Sequence, residues 1–387
     1  MPDKRLTFVI NTAAFFVSHR LPIALAAANR GYDVSLIVGR PASERLEAAA
    51  FERLRQNHIQ FFPTAFRSSS LSLSTEVPGF LQVLRQLRRL RPLVVHTVTP
   101  KGGLYGGLAA RVLRVPALVV AISGMGYLFT GDAGGLKRRL ARVLYQILMR
   151  FVYAHPNKMI IVQNSSDRQA ALDAGARPEE VFLIPGSGVD LELFSPANAI
   201  ERQPYVILPA RLLRDKGVVE FVAAARILKN RGSKWRFVLV GTIEADNPTV
   251  ISAAEIESWV AEGSVEWWGY REDMPAIFAS AGIVCLPSYR EGMPRALLEA
   301  AAAGCPIVTT DEPGCREAII PGETGDLVPP RNAEALAEAL QALIDDPERR
   351  ERYGKAGRDL ACRRYGIKAV VDQTLAIYDR LLSRAGR

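Results

Sequence analysis

The chain has 387 residues, too many for one ordinary domain and enough for two. Its 49% hydrophobic and 8% aromatic content is that of a globular protein with real cores, and no stretch reaches the ~18 uninterrupted apolar residues of a spanning helix. The net charge of +9 is split unevenly: residues 1–160 carry 22 Lys and Arg against 7 Asp and Glu, and the remainder carries 27 against 33. That asymmetry predicts an anionic partner for the first half. Nucleic acid is not expected as that partner, because no helix-turn-helix, zinc or aromatic RNA-binding signature accompanies the charge.

The opening segment MPDKRLTFVI runs directly into a strand at Leu6–Ile10 without an apolar leader, so a cytoplasmic location is expected. A helix over Ser18–Arg30 stops at Gly31, and Val34–Val38 is the next strand. Leu81–Arg91 is rich in arginine, and strands follow at Leu93–Val98 and Ala117–Ile122. The apolar run Val115–Leu128 contains two glycines and a proline, and reads as a buried strand with its loop. In Leu136–Tyr153, residues Leu136, Leu140, Val143, Leu144, Ile147 and Leu148 recur at helical spacing, with Lys137, Arg138, Arg139 and Arg142 among them. Two readings stay open for this helix. It is either a half-buried surface helix with solvated arginines or a helix lying on an anionic membrane surface. Strands Met159–Val162 and Val181–Ile184 close the half, and at residues 185–196 (PGSGVDLELFSP) turn formers break the pattern.

The second half starts the alternation again: strand Tyr205–Pro209, helix Gly217–Arg231, strand Trp235–Val240, helix Ala253–Glu262 and a short strand Val265–Trp268. Strand Ile283–Pro287, a helix from Pro294 to Ala303, strand Pro306–Thr310 and a short strand at Gly325–Val328 follow, and from Ala333 the chain is helical through Ile367–Arg384. Strands alternating with helices predict an α/β fold with parallel sheets. The expected arrangement is two doubly wound domains facing each other across a cleft, with ligands outside the carboxyl ends of the strands. The expected boundaries are residues 1–196, rejoined by the C-terminal helix 367–387, and residues 197–366. The four cysteines, Cys285, Cys305, Cys315 and Cys362, show neither Cys-x-x-Cys pairing nor metal-ligand spacing, so reduced thiols and no structural metal are expected.

The segment Glu291-Gly-Met-Pro-Arg-Ala-Leu-Leu-Glu299 carries the chemistry. Proline suits a helix's first turn, so the amides of Gly292, Met293 and Arg295 are predicted at a helix mouth beside Pro294, a place for phosphate oxygens. Glu291 stands at that mouth. Glu299 lies five residues past Pro294, roughly 7.5 Å along the axis at about 1.5 Å per residue, with its Cβ directed back toward the N-terminus. Paired carboxylates are poor phosphate ligands but accept hydrogen bonds from sugar hydroxyls. A second cluster, Arg211 to Gly217 (RLLRDKG), again follows a strand and precedes a helix. Arg211 and Lys216 placed there can stabilise the charge that a departing nucleoside diphosphate gains. Each cluster alone reads as ordinary surface charge; their joint placement points to a site.

With these motifs, and with GSVEWWGYREDMP and AAAGCPIVTTDEPGCREAI, nearly the whole chain resembles glycosyltransferase family 4, of GT-B architecture with two Rossmann-like domains. The resemblance implies that Glu291 contacts hydroxyls of the transferred sugar, Glu299 the ribose, Arg211 and Lys216 the diphosphate, and the backbone near Tyr270 and Arg271 the base. It further implies retention of configuration and no metal or other cofactor, in keeping with the lack of an Asp-x-Asp site. Asp190 and Glu192 lie in the interdomain turn. In the first half NTAAFFVSHRLPIA, HTVTPKGGLYGGLAARVLRVP and SGMGYLFTGD look like the bacterial subfamily that extends polyprenyl-diphosphate-linked glycans with N-acetylhexosamines from UDP. The implied partners are a UDP-sugar, a polyprenyl-diphosphate-linked sugar, and the anionic inner-membrane surface facing the basic half. That makes the protein peripheral on the inner membrane. Asn11 and Thr12 are then expected near the donor phosphate, and His19, Arg20 and Lys101 at the acceptor. His19 is either catalytic or a helix cap, and His96 reads as core. The first loop lacks the paired glycines common in the wider family. Rival readings are another two-Rossmann sugar-nucleotide enzyme, such as an epimerase or phosphorylase, or a non-catalytic nucleotide-sugar sensor. A dinucleotide dehydrogenase is not expected, since no Gly-x-Gly-x-x-Gly follows the first strand.

Overall fold

The computed structural model of the chain describes residues 4–40, 44–67, 73–124, 136–196, 201–244, 247 and 249–385. Most of SGMGYLFTGD, and the side chains of Leu136, Lys137, Arg138, Arg139 and Arg142, lie outside that description. The chain divides into two units, Met1–Ser187 with Lys368–Arg387, and Gly188–Ile367.

The first unit runs β1 (Lys4–Ile10), α1 (Ala13–His19), α2 (Leu21–Asn29), β2 (Tyr32–Arg40), α3 (Glu44–Gln56), β3 (Gln60–Arg67), α4 (Leu73–Leu90) and β4 (Val94–Val98). It continues through α5 (Pro100–Val112), β5 (Ala117–Ala121), α6 (Leu136–Tyr153), β6 (Lys158–Val162), α7 (Ser165–Asp173) and β7 (Val181–Leu183). The strands pair in parallel in the order β3-β2-β1-β4-β5-β6-β7. Strands covered on both faces are near-continuous apolar runs. Accordingly β4, β5 and β6 are buried along their whole length. One face packs on α1, α2, α3 and the C-terminal α14 (Ile367–Ala385), the other on α4 to α7.

The second unit runs β8 (Gln203–Pro209), α8 (Val218–Asn230), β9 (Arg236–Val240), α9 (Ala253–Ala261), β10 (Glu266–Trp267), α10 (Met274–Ser280) and β11 (Ala281–Leu286). Then come α11 (Arg295–Ala302), β12 (Ile307–Thr310), β13 (Gly325–Val328), α12 (Ala333–Asp345) and α13 (Pro347–Arg364). Its parallel sheet has the order β10-β9-β8-β11-β12-β13, with an apolar core on each face. In both sheets the strand order reverses beside the unit's first strand, which is the doubly wound topology.

One expectation changes. The helix expected over Ser18–Arg30 is two helices broken at Arg20, because Pro22 near the start of α2 cannot continue the α1 hydrogen-bond ladder. Helix α5, which holds the glycine-rich GGLYGG, was not among the expected helices. Of the apolar stripe of α6, Leu140, Val143, Leu144 and Ile147 are exposed, as is Phe151, and Leu148 is partly buried, while Met149, Val152 and Tyr153 hold the helix to the unit. Among the described residues no helix is long and apolar enough to cross a membrane.

Candidate active site

In a doubly wound sheet the crevice for a ligand forms where two neighbouring strands send their chains to opposite faces. In the second unit those neighbours are β8 and β11. The loops leaving their carboxyl ends are stitched together: the Tyr289 amide donates to the Asp215 carbonyl at 2.9 Å and the Ser288 hydroxyl to the same oxygen at 3.0 Å. Gly217 has φ +71°, and a Cβ there would lie 2.1 Å from the Pro287 carbonyl oxygen, so only glycine permits the approach. Lys216 and Glu291 are thereby brought together, with the ammonium donating to the carboxylate. Their side chains are 16% and 14% exposed, so the pair is shielded from most of the water while open on one side.

A third loop, after β12, backs this pair. The Glu291 amide donates to the Pro313 carbonyl at 3.2 Å, and Gly314, at φ +82°, lies so near that a Cβ would sit 2.5 Å from the Glu291 carbonyl oxygen. Pro294 caps α11 and its side chain makes no cap hydrogen bond, and the N-terminal end of the helix lies next to Glu291. Gly292 and Pro294 are buried, and Met293 packs into the core beneath. One turn along the helix, Glu299 accepts from Arg295 Nε at 2.7 Å. Desolvation raises the Glu299 carboxyl above its ordinary value, against the pull of Arg295.

Arg211 does not join Lys216 on Glu291. It is half-exposed and pairs at 2.8 Å with Glu244, on the loop after β9. Tyr270 is exposed just beyond β10, next to Gly269, whose carbonyl accepts from the Gly241 amide at 2.8 Å; Arg271 pairs with Asp273 at 2.8 Å. Residues not singled out from sequence also shape the loop. The Tyr289 hydroxyl donates to Glu220 at 2.6 Å, and Arg331 lies over the Tyr289 ring at 4.5 Å. Tyr289 lies in the loop between β11 and α11, close to Glu291 in sequence.

In the first unit β1 and β4 are the neighbours at the reversal, and Asn11, Thr12 and Lys101 all follow their carboxyl ends. Thr12 caps α1 by accepting from the Phe15 amide at 3.2 Å, and the buried Asn11 Oδ1 has no hydrogen-bond partner. Lys101 is held by Glu76 at 2.9 Å and by the Arg67 carbonyl at 2.6 Å. His19 ends α1, stacked on Phe15 at 4.0 Å and bonded to Ser18 at 2.7 Å. Arg20, expected among the acceptor contacts, is instead buried with 4% exposure, and burial lowers its guanidinium to about 10. It lies close enough to His96 and Tyr378 to act on both electrostatically, and the His96 Nδ1 and Tyr378 hydroxyl are hydrogen-bonded in the core. A side chain so placed cannot meet an acceptor without rearrangement. Among the described residues no group of three or more His, Cys, Asp or Glu side chains is placed to hold a metal.

Residues 19–186 match the glycosyl transferase 4-like domain and residues 191–360 the glycosyl transferases group 1 domain. The chain is a glycosyltransferase of family 4, built on the GT-B fold. It is 28% identical, over 98% of its length and 99% of the relative's, to the N,N'-diacetylbacillosaminyl-diphospho-undecaprenol alpha-1,3-N-acetylgalactosaminyltransferase of Campylobacter jejuni. A UDP-Gal:alpha-D-GlcNAc-diphosphoundecaprenol alpha-1,3-galactosyltransferase of Escherichia coli is 27% identical over 74% of each chain. Among solved structures, the HepE protein of Anabaena in complex with UDP-glucose superposes with a TM-score of 0.75 at 19% identity, over 98% of this chain and 99% of that one.

Proposed function

We propose that this glycosyltransferase moves a hexose, specifically an N-acetylhexosamine, from a UDP-sugar to a saccharide carried on polyprenyl diphosphate, working peripherally at the cytoplasmic face of the inner membrane. The observation that carries the reading is the Lys216–Glu291 pair at the strand-order reversal of the second unit, beside the N-terminal end of α11. The names of the Campylobacter and Escherichia relatives supply the acceptor class and the donor class.

In this reading Lys216, with Arg211 once released from Glu244, meets the diphosphate, and the amides of Gly292 and Met293 complete its cradle. Tyr270 and Arg271 border the base, Glu299 takes the ribose hydroxyls and Glu291 the hydroxyls of the transferred sugar. Asn11 and Thr12 are assigned to the donor phosphate, and His19 and Lys101 to the acceptor. The acceptor hydroxyl oxygen bonds to the anomeric carbon on the face from which UDP leaves. The bond from that carbon to the phosphate oxygen breaks with its electron pair, and the hydroxyl proton passes to that oxygen. Lys216 next to the leaving oxygens gains interaction as their charge grows, which is where a fixed cation accelerates the step. Configuration is retained, and no metal ion is used.

The test is a panel of UDP-sugars with a short-chain polyprenyl-diphosphate sugar, with the product's anomeric configuration read by proton NMR and chelator present in parallel. Transfer with retention, unaffected by chelator, is expected. An inverted product, chelator-abolished transfer, or donor epimerised without transfer contradicts the reading.

A further inference from the structure

Helix α6 presents an apolar face to solvent. Leu140, Val143, Leu144, Ile147 and Phe151 follow the i, i+3, i+4, i+7, i+11 spacing of one stripe and are each 47–59% exposed. The stripe runs about 16 Å at about 1.5 Å per residue. The opposite face is not free to turn inward in its place. Met149, Val152 and Tyr153 are buried, and Gly107 of α5 leaves just enough room for Val152, since a Cβ there would meet its methyl at 2.5 Å. A helix anchored by one apolar face and exposing another marks an interaction surface.

The end of the stripe abuts a basic depression. Arg111 of α5 lies over the Phe151 ring at 5.6 Å, and its buried Nε has no hydrogen-bond partner. With Arg114, Val115, Pro116, His155 and Pro156 it lines an open pocket of about 300 Å³. His155 adds no donor to that pocket, because its Nε2 is bonded to the Val115 carbonyl at 3.0 Å and its Nδ1 accepts from the Asn157 amide at 3.2 Å. The arginines therefore supply the charge. The unit as a whole holds 28 Lys and Arg against 13 Asp and Glu.

From this juxtaposition we infer that α6 is a bilayer docking face: the stripe enters the acyl boundary, and the Arg111–Arg114 pocket takes the phosphate of an anionic phospholipid headgroup. The inference rests on the membrane-linked acceptor proposed above and adds the surface that meets the membrane. A second copy of the chain is a poorer occupant, since pairing two such faces would bring two strongly basic units together.

The test is flotation of the full chain with vesicles of phosphatidylcholine alone or mixed with phosphatidylglycerol. The wild-type chain is expected to float with the mixed vesicles. The exposed double variant L144D/I147D, and the milder L144Q/I147Q, should lose about tenfold or more of that partition. R111Q/R114Q should lose the preference for the anionic lipid but keep the weaker binding to neutral vesicles. Unchanged flotation of the stripe variants overturns the inference, as does a wild-type dimer in sedimentation that I147D dissociates. Transfer to a water-soluble, short-chain acceptor without vesicles should be equal in all variants. Its loss in R111Q/R114Q would assign the pocket to the acceptor's diphosphate instead, and its absence in the wild type would fail the transfer reading while leaving docking to be judged by flotation.

Discussion

Lys216 and Glu291 are hydrogen-bonded across two loops that leave neighbouring strands, so each holds the other in place before any substrate arrives. Removing either partner does two things: it deletes a contact to substrate and leaves the other charge shielded and unpaired. K216M and E291Q are each expected to lower kcat/KM for transfer by ~100-fold or more. The double variant should cost clearly less than the product of the two losses, as for groups acting as one unit. Multiplicative losses in the double-mutant cycle would show that the two work independently.

Gly314 tests whether the third loop matters to the carboxylate. Gly314→Ala adds a methyl 2.5 Å from the Glu291 carbonyl oxygen at a φ of +82°, whereas Gly322→Ala places one at φ +78° with nothing within 4 Å. Both should cost about 1–2 kcal/mol of stability in urea denaturation through backbone strain. Only Gly314→Ala should also lose transfer. Equal activity in the two variants would separate the loop from the site.

Glu299 provides a pH signature. Its folded carboxyl is raised above 4.5 by desolvation, so the ionised form is less favourable in the folded than in the unfolded chain. The folded state accordingly loses stability as pH rises through that folded value. E299Q should therefore melt at a higher temperature than wild type at pH 7, with the gain shrinking as pH falls through the raised folded value and gone below 4.5, while UDP binding by calorimetry weakens. A variant less stable than wild type at pH 7 would mean that the Arg295 contact outweighs the desolvation.

His96 and His155 act in the opposite direction. Burial lowers both imidazoles below the ordinary 6.5, so their contribution to stability is present above 6.5 and is lost as pH falls. Each neutral imidazole steepens the fall by up to about 1.4 kcal/mol per pH unit once the unfolded chain is protonated. Denaturation between pH 7.5 and 5.5 should show this decline, and histidine NMR should show both rings titrating below 6.5, His96 well below it. Titration of either ring near 6.5 would contradict the burial described.

The alternation of strands and helices and the strand–loop–helix placement of Glu291 were legible because the buried parallel strands are continuous apolar runs. Helix α5 was not, because its glycines serve close packing, with Gly107 against Val152, rather than a loop. Lys216 was legible from its spacing before a helix. The turn of Arg211 toward Glu244 was not, because Glu244 stands 33 residues further on and meets it only through the pairing of β8 with β9. Arg20 misled for a related reason. A lone arginine beside a histidine looks exposed in sequence, and only the packing of α14 against β4, with Tyr378 bonded to His96, shows it to be interior.

The central claim is tested most directly by release of UDP from a UDP-N-acetylhexosamine with and without a polyprenyl-diphosphate-linked saccharide. The account predicts release that depends on the acceptor in the wild-type chain and is lost in E291Q. Release independent of acceptor, or undiminished in E291Q, would contradict it.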